Sequence, residues 1–431
     1  MAITGRVGLL ALAAAALVGL VAPSWLGILA VQAVLLVLVL IDVLLAGNVR
    51  AVRLARSGAD SVRLGEPAEV SLALTNNGRR GIRGRLRDAW PPSANPVSSR
   101  HKISVPAGER RTVTTVLRPT RRGDRLASKV TIRALGPLGL AARQGSHTVP
   151  WTVRVLPPFH SRRHLPSRLA RLRELDGRTL IMVRGQGTEF DSLRDYVLGD
   201  DVRSIDWRAT ARRQNVVVRT WRPERDRHIL VVLDTGRTSA GRVGDAPRLD
   251  AALDAALLLA ALGTRAGDRV DLLAYDRAVR ASVQGAGAAQ VLPAFVNAMA
   301  LLEPALLEVD WPGLAAQIQR RARHRSLVVL LTGLEASAVE AGLTRVLPAL
   351  VHRHQVIVAS VADPRIEEMA TGRDSAEAVY EAAAAERARL ERRRTTAQLT
   401  KHSVEVVDAP PEELPPALAD RYLELKAAGR L

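Results

Sequence analysis

After Arg227, short apolar runs alternate with longer helical segments, and few folds accommodate such a pattern. The runs read HILVVLD, RVDLLAYD, SLVVLLTG and HQVIVASV, and residues 404–407 form a last one. A helical segment at residues 249–265 separates the first two runs. Strands that are apolar throughout are buried on both faces, as happens when helices cover a parallel sheet. Residues 228–431 are therefore predicted to form a doubly wound α/β domain, with a binding site beyond the carboxyl ends of its strands.

Two apolar runs open the chain, at residues 7–22 and 25–46. As a helix the second run measures about 33 Å, enough to cross a hydrocarbon layer of about 30 Å. Only two residues separate the runs, so residues 1–48 are predicted to form a transmembrane helical hairpin. Asp42 lies near the end of the second run and is predicted to reach interfacial water or an arginine, because an intramembrane acid near a helix end need not mark an ion path.

Basic residues set the predicted orientation of this hairpin. Arg6 precedes it, arginines follow it at positions 50, 53 and 56, and the turn between the runs has none. Lys and Arg are enriched on the cytoplasmic side of membranes, so both ends and the soluble remainder are predicted to be cytoplasmic, as in a multi-pass protein of the cell membrane. In the alternative, residues 1–22 are a cleaved signal peptide and the second run is a stop-transfer helix, which also leaves the remainder in the cytoplasm.

Residues 49–158 alternate polar and apolar residues in short runs such as VSLALTNNG, RTVTTVLRP and SKVTIRAL. Gly and Pro punctuate these runs, and Asn76, Asn77 and Gly78 form a turn signal. This pattern is typical of antiparallel sheets and predicts a β-sandwich.

The formal net charge of +19 is distributed unevenly. Residues 50–228 hold 37 Lys and Arg against 16 Asp and Glu, whereas residues 229–431 hold 24 against 26. Such an excess beside a bilayer attracts anionic lipids, and we predict that contact; an ordinary solvated arginine-rich face is the alternative. Nucleic acid is not a predicted partner, because no zinc finger, recognition helix or ribonucleoprotein motif accompanies the charge. Cysteine is absent, which excludes disulfides and thiolate chemistry.

Residues 159–227 contain a predicted linker helix and a densely charged segment, GQGTEFDSLRDYVLGDDVRSIDWRATAR. Charges beside large side chains must be paired to be tolerated in a core. The arginines at positions 194, 203 and 208 are predicted to neutralise the aspartates at 200, 201 and 206, while Trp207 packs beneath them. The predicted partner-presenting residues of this signature segment are Glu189, Phe190, Arg194, Tyr196, Gly199, Asp200, Asp201, Arg203, Asp206 and Trp207.

The order of residues in the signature segment resembles the bacterial domain-of-unknown-function family 58, which joins such a segment to a C-terminal von Willebrand factor A-like domain. The upstream RRGDRLASKVTIRALGPLGL and the closing DRYLELKAAGRL resemble that family as well. Members are commonly associated with MoxR-type AAA+ ATPases. The resemblance therefore implies a membrane-anchored adaptor, without enzymatic activity, that acts with such an ATPase in the assembly or maturation of client proteins.

The resemblance to the A-like fold also implies a divalent metal site at the carboxyl edge of the sheet. Asp234 matches the first ligand and Thr238 matches a hydroxyl ligand, but glycines stand at 236 and 333, where a second hydroxyl and a final Asp are expected. Mg²⁺ requires several oxygen ligands, so the site is predicted to be a remnant that binds no metal. A weakened site with an oxygen from Asp310 remains open.

The enzymatic alternative is a hydrolase that uses Asp200, Asp201 and Asp206 as acid and base. An open cleft with perturbed carboxylates would favour it, whereas arginine-neutralised carboxylates would favour the adaptor. The sequence after VVLD lacks the ending of a phosphate-binding loop, so no nucleotide or other cofactor is predicted. His352 and His354 are predicted to be solvated turn residues.

Overall fold

The computed structural model describes residues 2–21, 24–182, 189–197, 200–212, 215–222 and 227–431, with the backbone alone for 176–182, 189–192 and 220–222. The chain forms two compact units, Met1–Pro158 and Phe159–Leu431. The finer division into four segments stays a prediction.

The first unit begins with two apolar helices, α1 (Gly5–Val21) and α2 (Trp25–Leu45). The hydroxyl of Ser24 caps α2 by accepting a hydrogen bond from the Gly27 amide. Among the described residues, the segment Trp25–Ala51 is the one helix long and apolar enough to cross a membrane. The second predicted apolar run is therefore a helix of membrane-spanning length, and α1 is shorter.

Asp42 has a different environment from the predicted one. It is fully buried, and its carboxylate accepts hydrogen bonds from the backbone amides of Leu138, Leu140 and Ala141 at 2.7–2.8 Å. Neither interfacial water nor an arginine is needed, because three backbone donors satisfy the charge. Asp42 thus ties α2 to the strand-rich part of its own unit.

Eleven strands are described in the first unit. They are β1 (Ala2–Ile3), β2 (Val52–Gly58), β3 (Ser61–Arg63), β4 (Ala68–Asn76), β5 (Ile82–Asp88), β6 (Arg100–Val105), β7 (Arg110–Leu117), β8 (Gly123–Leu126), β9 (Lys129–Leu135), β10 (Ala141–Thr148) and β11 (Thr152–Leu156). They form sheets in the orders β1-β10-β9-β5-β6, β2-β4-β7 and β3-β11-β8. Every described pairing is antiparallel except that of β3 with β11.

Apolar side chains that face inward alternate with outward-facing side chains along the strands, and the inward-facing ones form the core between these sheets. Leu72 of β4, Leu86 of β5 and Ile132 of β9 belong to one cluster, so the first two sheets pack face to face. A buried ion pair accompanies the apolar contacts: Arg56 and Asp88, each with a side chain 1% exposed, form a bidentate pair at 3.1 and 2.6 Å. The predicted antiparallel, strand-rich region is confirmed.

The second unit has more helices. Its elements are α3 (Leu165–Met182), β12 (Glu189–Asp195), α4 (Trp207–Thr210), β13 (Val217–Arg222), β14 (His228–Asp234), α5 (Arg237–Ala240), β15 (Arg242–Val243), β16 (Ala246–Pro247), α6 (Arg248–Arg265), β17 (Arg269–Tyr275), β18 (Val279–Val283), α7 (Ala288–Ala300), α8 (Trp311–Arg321), β19 (Leu327–Leu331), α9 (Ala336–Ala338), α10 (Thr344–Val351), β20 (Gln355–Val361), α11 (Pro364–Thr371), α12 (Ala376–Lys401), β21 (Glu405–Ala409) and α13 (Leu414–Ala427).

A six-stranded sheet in the order β18-β17-β14-β19-β20-β21 organises this unit. Its strands are parallel except for β18, which pairs antiparallel with β17 at the edge and was not predicted. Leu230 of β14 packs in a core cluster with Leu314 of α8 and Leu347 of α10. On the other face, Ile229 packs so closely on α6 that a Cβ at Gly263 would lie 2.9 Å from it. Helices therefore cover both faces, as the apolar strands predicted.

Candidate functional site

Asp234 ends β14 at the carboxyl edge of the parallel sheet and is only 2% exposed. Its Oδ2 accepts hydrogen bonds from the hydroxyls of Thr238 and Thr332 at 2.5 and 2.6 Å, and its Oδ1 accepts one from the Gly236 amide at 2.6 Å. Burial raises the pKa of Asp234 against the opposing effect of these hydrogen bonds, and the charge of Glu335 raises it further. The sequence identified Asp234 and Thr238 but missed Thr332, whose position directly after β19 was the available signal.

The two glycines at this edge are closely packed. A Cβ at Gly236 would lie 2.8 Å from the backbone oxygen of Leu307, too close for any side chain to be tolerated without a shift. At Gly333, a Cβ would overlap Oε2 of Glu335. Glu335 thus occupies the space into which a side chain at position 333 would project, and its Oε1 forms an ion pair with Arg248.

Asp310 has hydrogen-bond partners of its own. It caps α8, where its Oδ1 accepts a hydrogen bond from the Gly313 amide at 3.1 Å, and its Oδ2 lies 3.4 Å from the hydroxyl of Tyr275. A helix leaves its first amides without intrahelical partners, so an Asp at this position turns toward the helix. These contacts do not favour the alternative in which Asp310 supplies a substitute oxygen.

A divalent ion does not fit the residues at this edge. Mg²⁺ prefers near-ideal octahedral coordination by oxygen, whereas both oxygens of Asp234 accept hydrogen bonds from the protein and Glu335 is paired with a guanidinium. Across the described part of the chain, no group of three or more His, Cys, Asp or Glu side chains is arranged to hold a metal. The polar groups here bind one another.

The signature segment forms an antiparallel hairpin of β12 and β13. Arg194 makes a bidentate pair with Asp200 at 2.7 and 2.5 Å, and the Asp200 carboxylate also accepts a hydrogen bond from the Val197 amide. The predicted neutralisation of Asp200 by Arg194 is therefore present. Tyr196 is partly buried, and its amide donates to the backbone oxygen of Val216 at 2.8 Å.

The other two aspartates accept hydrogen bonds from donor groups that the sequence did not identify. Asp201 accepts a hydrogen bond from the backbone amide of Arg203, which caps a short turn. Asp206 caps α4 through the amides of residues 208 and 209 and pairs with Arg219 at 2.8 Å. The backbone amide of Ala209 and then the Arg219 guanidinium lower the pKa of Asp206. The prediction that Arg208 neutralises it is corrected, because a residue opposite on β13 is better placed than one on the same turn.

Trp207 is 69% exposed, so the prediction that it packs beneath the charges is wrong. The cap at Asp206 makes Trp207 the first residue of α4, and the turn directs it outward. Val197 and Val202, at 61% and 63%, are also exposed on this segment. Gly199 and the side chains of Glu189 and Phe190 lie outside what the structure describes.

A buried polar cluster at the amino end of the sheet was missed by sequence reasoning. His228 begins β14, with Nδ1 3.0 Å from the Ser326 hydroxyl and Nε2 2.9 Å from the Asp271 carboxylate. This order of groups has the composition of a hydrolytic triad. However, Ser326 is 4% exposed and its hydroxyl donates to the backbone oxygen of His324 at 2.9 Å. The cluster therefore links the amino-terminal ends of β14, β17 and β19.

His354, predicted to be solvated, is instead 3% exposed near this cluster. Burial lowers its pKa, and the charges of Arg353 and His228 lower it further. For Asp271, burial raises the pKa, but hydrogen bonds from His228 and the Gly285 amide, with nearby positive charge, outweigh it and leave the pKa lowered.

A cavity of about 400 Å³ lies beside the carboxyl ends of β20 and β21. Arg392 makes a bidentate pair with Asp408 at 2.5 and 2.6 Å, and Arg389 pairs with Glu367 at 3.0 Å. These acidic groups are neutralised internally, and the mixed charge does not select a class of ligand. The residues that line the cavity are Ala362, Asp363, Ile366, Glu367, Ala388, Arg389, Arg392, Arg393, Thr396, Ala397 and Asp408.

Fold and site together define a class of protein with an apolar N-terminal helix, a strand-rich unit and an α/β unit that carries an arginine-neutralised hairpin. The chain belongs to the family described as "Protein of unknown function DUF58", whose model matches residues 192–415, more than half of its length. The match begins within β12 and ends at the start of α13.

The similar proteins and solved structures do not indicate an activity for this chain. Uncharacterized proteins of Mycobacterium tuberculosis (strain H37Rv) and Mycobacterium bovis are each 27% identical over 197 residues, which is 45% of this chain and 61% of the relative. A CARDB domain from Pyrococcus furiosus is 16% identical with a TM-score of 0.19, covering 24% of this chain and 91% of that one. A β-glucosidase from Listeria innocua is 15% identical with a TM-score of 0.16, covering 24% and 16%. Similarity at this level does not bear on function.

Proposed function

We propose that this protein is a membrane-anchored, non-enzymatic adaptor that presents the signature segment to a protein partner. The observation that carries the proposal is the exposure of Trp207 in a segment where Asp200 and Asp206 are already paired with arginines. Exposed aromatic residues are enriched at protein–protein interfaces because they bury a large area at little entropic cost. The neighbouring Val197 and Val202 extend this apolar surface.

The anchor in this proposal is a helical hairpin of α1 and α2 that places the soluble remainder in the cytoplasm. The length and composition of α2 support it, as do Arg6 before α1 and the arginines after α2. The second unit is proposed to be a von Willebrand factor A-like domain, in keeping with a parallel sheet covered by helices on both faces. The strand-rich unit is proposed to contact anionic lipids through its arginine excess.

The proposed partner is a MoxR-type AAA+ ATPase, and the proposed role is assembly or maturation of client proteins. This part rests on the resemblance of the signature segment to its family. A cytoplasmic unit with an exposed apolar surface and no phosphate-binding loop is suited to work beside a separate ATPase.

Capture from detergent-solubilised membranes tests the proposal. The tagged full chain is expected to retain a MoxR-type ATPase in amounts that differ between ATP and a non-hydrolysable analogue. Trp207→Ala is expected to reduce capture several-fold, because the ring is the largest exposed apolar group among the described side chains of the segment. Val279→Ala, an exposed apolar change on β18, is the matched control. Equal capture by Trp207→Ala and the parent would overturn the proposed surface.

The hydrolase alternative receives no support from the geometry. A general acid at neutral pH needs a raised pKa, whereas the amide of Ala209 and the Arg219 guanidinium lower the pKa of Asp206. Asp200 is held in a bidentate pair by Arg194. Carboxylates neutralised in this way stabilise a hairpin and leave its apolar side chains to bind.

A further inference from the structure

The joint between α2 and the strand-rich part of the first unit is closely fitted. Asp42, one turn before the end of α2, accepts hydrogen bonds from the amides of Leu138 and Leu140 in the loop at residues 136–140, GPLGL. At Gly136 a Cβ would overlap the Asp42 carboxylate, so this loop lies directly against the helix. Thr4 closes the loop from the other side, with its hydroxyl donating to the backbone oxygen of Gly139 at 2.7 Å.

The length of α2 sets the depth of that loop in a membrane. Its 21 residues span about 30 Å at 1.5 Å per residue, which matches the hydrocarbon layer. Asp42 lies three residues before the end, or about 5 Å along the axis. The loop that contacts it therefore sits at the boundary between acyl chains and headgroups.

The composition of the loop suits that boundary. Leu138 is 47% exposed and its neighbour Leu135 is 37% exposed, although both lie in a unit with a well-formed core. The loop itself, GPLGL, carries no charged side chain. Apolar side chains at this level gain free energy by leaving water.

Arginines from separate segments surround the same end of α2. Arg80 donates a hydrogen bond to the backbone oxygen of Leu44 at 2.5 Å, and Arg143 donates to that of Val43 at 2.9 Å. Each of these bonds uses one of the five N–H donors of a guanidinium, and the fork geometry of the others matches a phosphate. Arg6, at the start of α1, is exposed beside Gly139.

We propose that loop 136–140 is a membrane wedge: Leu138 inserts at the acyl boundary while Arg80, Arg143 and Arg6 bind the phosphates of phospholipid headgroups. Because Asp42 fixes the loop to α2, the strand-rich part of the first unit has one set orientation on the bilayer. The inference rests on the proposed anchoring by α2 and adds a second, specific lipid contact. The partner is the lipid headgroup, since the depth of the loop is defined by a helix of bilayer length.

Single spin labels on the full chain in vesicles test the wedge, and the absence of native cysteine makes each label unique. The positions are Val34→Cys in mid-helix, Leu138→Cys in the wedge and Leu126→Cys, a 64% exposed leucine on β8, as the matched control. The measurement is accessibility to oxygen relative to a water-soluble nickel complex. Labels at 34 and 138 are expected to give ratios several-fold above that at 126.

The outcomes separate the wedge from the anchor. A high ratio at 34 with equal, low ratios at 138 and 126 overturns the wedge and leaves the anchor standing. A low ratio at 34 overturns the anchor and the wedge with it.

The arginines are tested with the label at 138 in vesicles containing phosphatidylglycerol. Replacing Arg80 and Arg143 by Gln is expected to lower the ratio, whereas replacing Arg100 and Arg110, which are exposed elsewhere on the strands, leaves it unchanged. If both double variants behave alike, the arginines do not bind the headgroup phosphates.

Discussion

At the scale of single residues, the structure shows the hydrogen-bond partners of buried charges, which the sequence did not reveal. Asp42 is held by three backbone amides, and Asp88 is held by Arg56, the indole N–H of Trp90 at 2.9 Å and a threonine hydroxyl at 3.2 Å. Each carboxylate is tolerated because several donors surround it. Removing one partner of a buried pair such as Arg56–Asp88 costs about 3–5 kcal/mol, so these residues maintain the fold.

Asp234 gives a prediction about pH. Its pKa is raised in the folded state, so its contribution to stability is fully present below its unfolded pKa of about 4 and is lost as the pH rises through the folded value. Asp234→Asn removes this dependence while keeping an oxygen for the Gly236 amide. The parent is therefore expected to lose more thermal stability than the variant as the pH rises above about 4.

Melting temperature across that pH range is the measurement. Asp245→Asn, an exposed change in the same unit, is the control and is expected to follow the parent. Parallel curves for the parent and Asp234→Asn would contradict the raised pKa.

At the scale of elements, the β12–β13 hairpin shows how an aspartate and its neighbouring tryptophan divide their roles. Asp206 joins α4 to β13: its carboxylate caps the helix and pairs with Arg219, and its amide donates to the backbone oxygen of Val217 at 2.9 Å. Trp207, the first residue of α4, exposes its ring to solvent. Asp206 therefore stabilises the segment, and the Trp207 ring is left exposed to solvent.

Hydrogen exchange of the β13 amides tests this division. Asp206→Ala is expected to accelerate exchange at Val217 and Val218, because the helix cap and the ion pair with Arg219 are lost together. Trp207→Ala is expected to leave exchange unchanged, since a ring 69% exposed contributes little packing. Equal acceleration by both variants would restore the sequence-based prediction that Trp207 packs beneath the charges.

At the scale of the whole molecule, each unit has its own hydrophobic core. Residues 159–431 are therefore expected to fold alone, because the six-stranded sheet and the helices on both of its faces lie within that range. Circular dichroism and sedimentation of this fragment are the measurements, with a cooperative melt and no pelleting as the expected result. Removing residues 1–48 is expected to destabilise the first unit, because it removes Asp42 and leaves the amides of Leu138, Leu140 and Ala141 without their acceptor.

The sequence by itself determined the elements with strong periodicity. The apolar runs after Arg227 appear as β14, β17, β19 and β20, the predicted helix at 249–265 is α6, and the second apolar run is a helix of bilayer length. Local patterns suffice here, because a strand that is apolar on both faces has few environments open to it. Family membership was likewise readable from the signature segment.

Apart from the Arg194–Asp200 pair, which the sequence predicted, tertiary structure decided which charges meet. Nothing in the order of residues indicates that Asp42 contacts a loop almost a hundred positions away, that Asp206 pairs with Arg219 of β13, or that Glu335 fills the space beside Gly333. The outward direction of Trp207 also depends on a cap formed by its neighbour. Which charged groups pair depends on distances of a few ångströms between segments that are remote in sequence. The pattern of apolar and polar residues along the chain does not contain those distances.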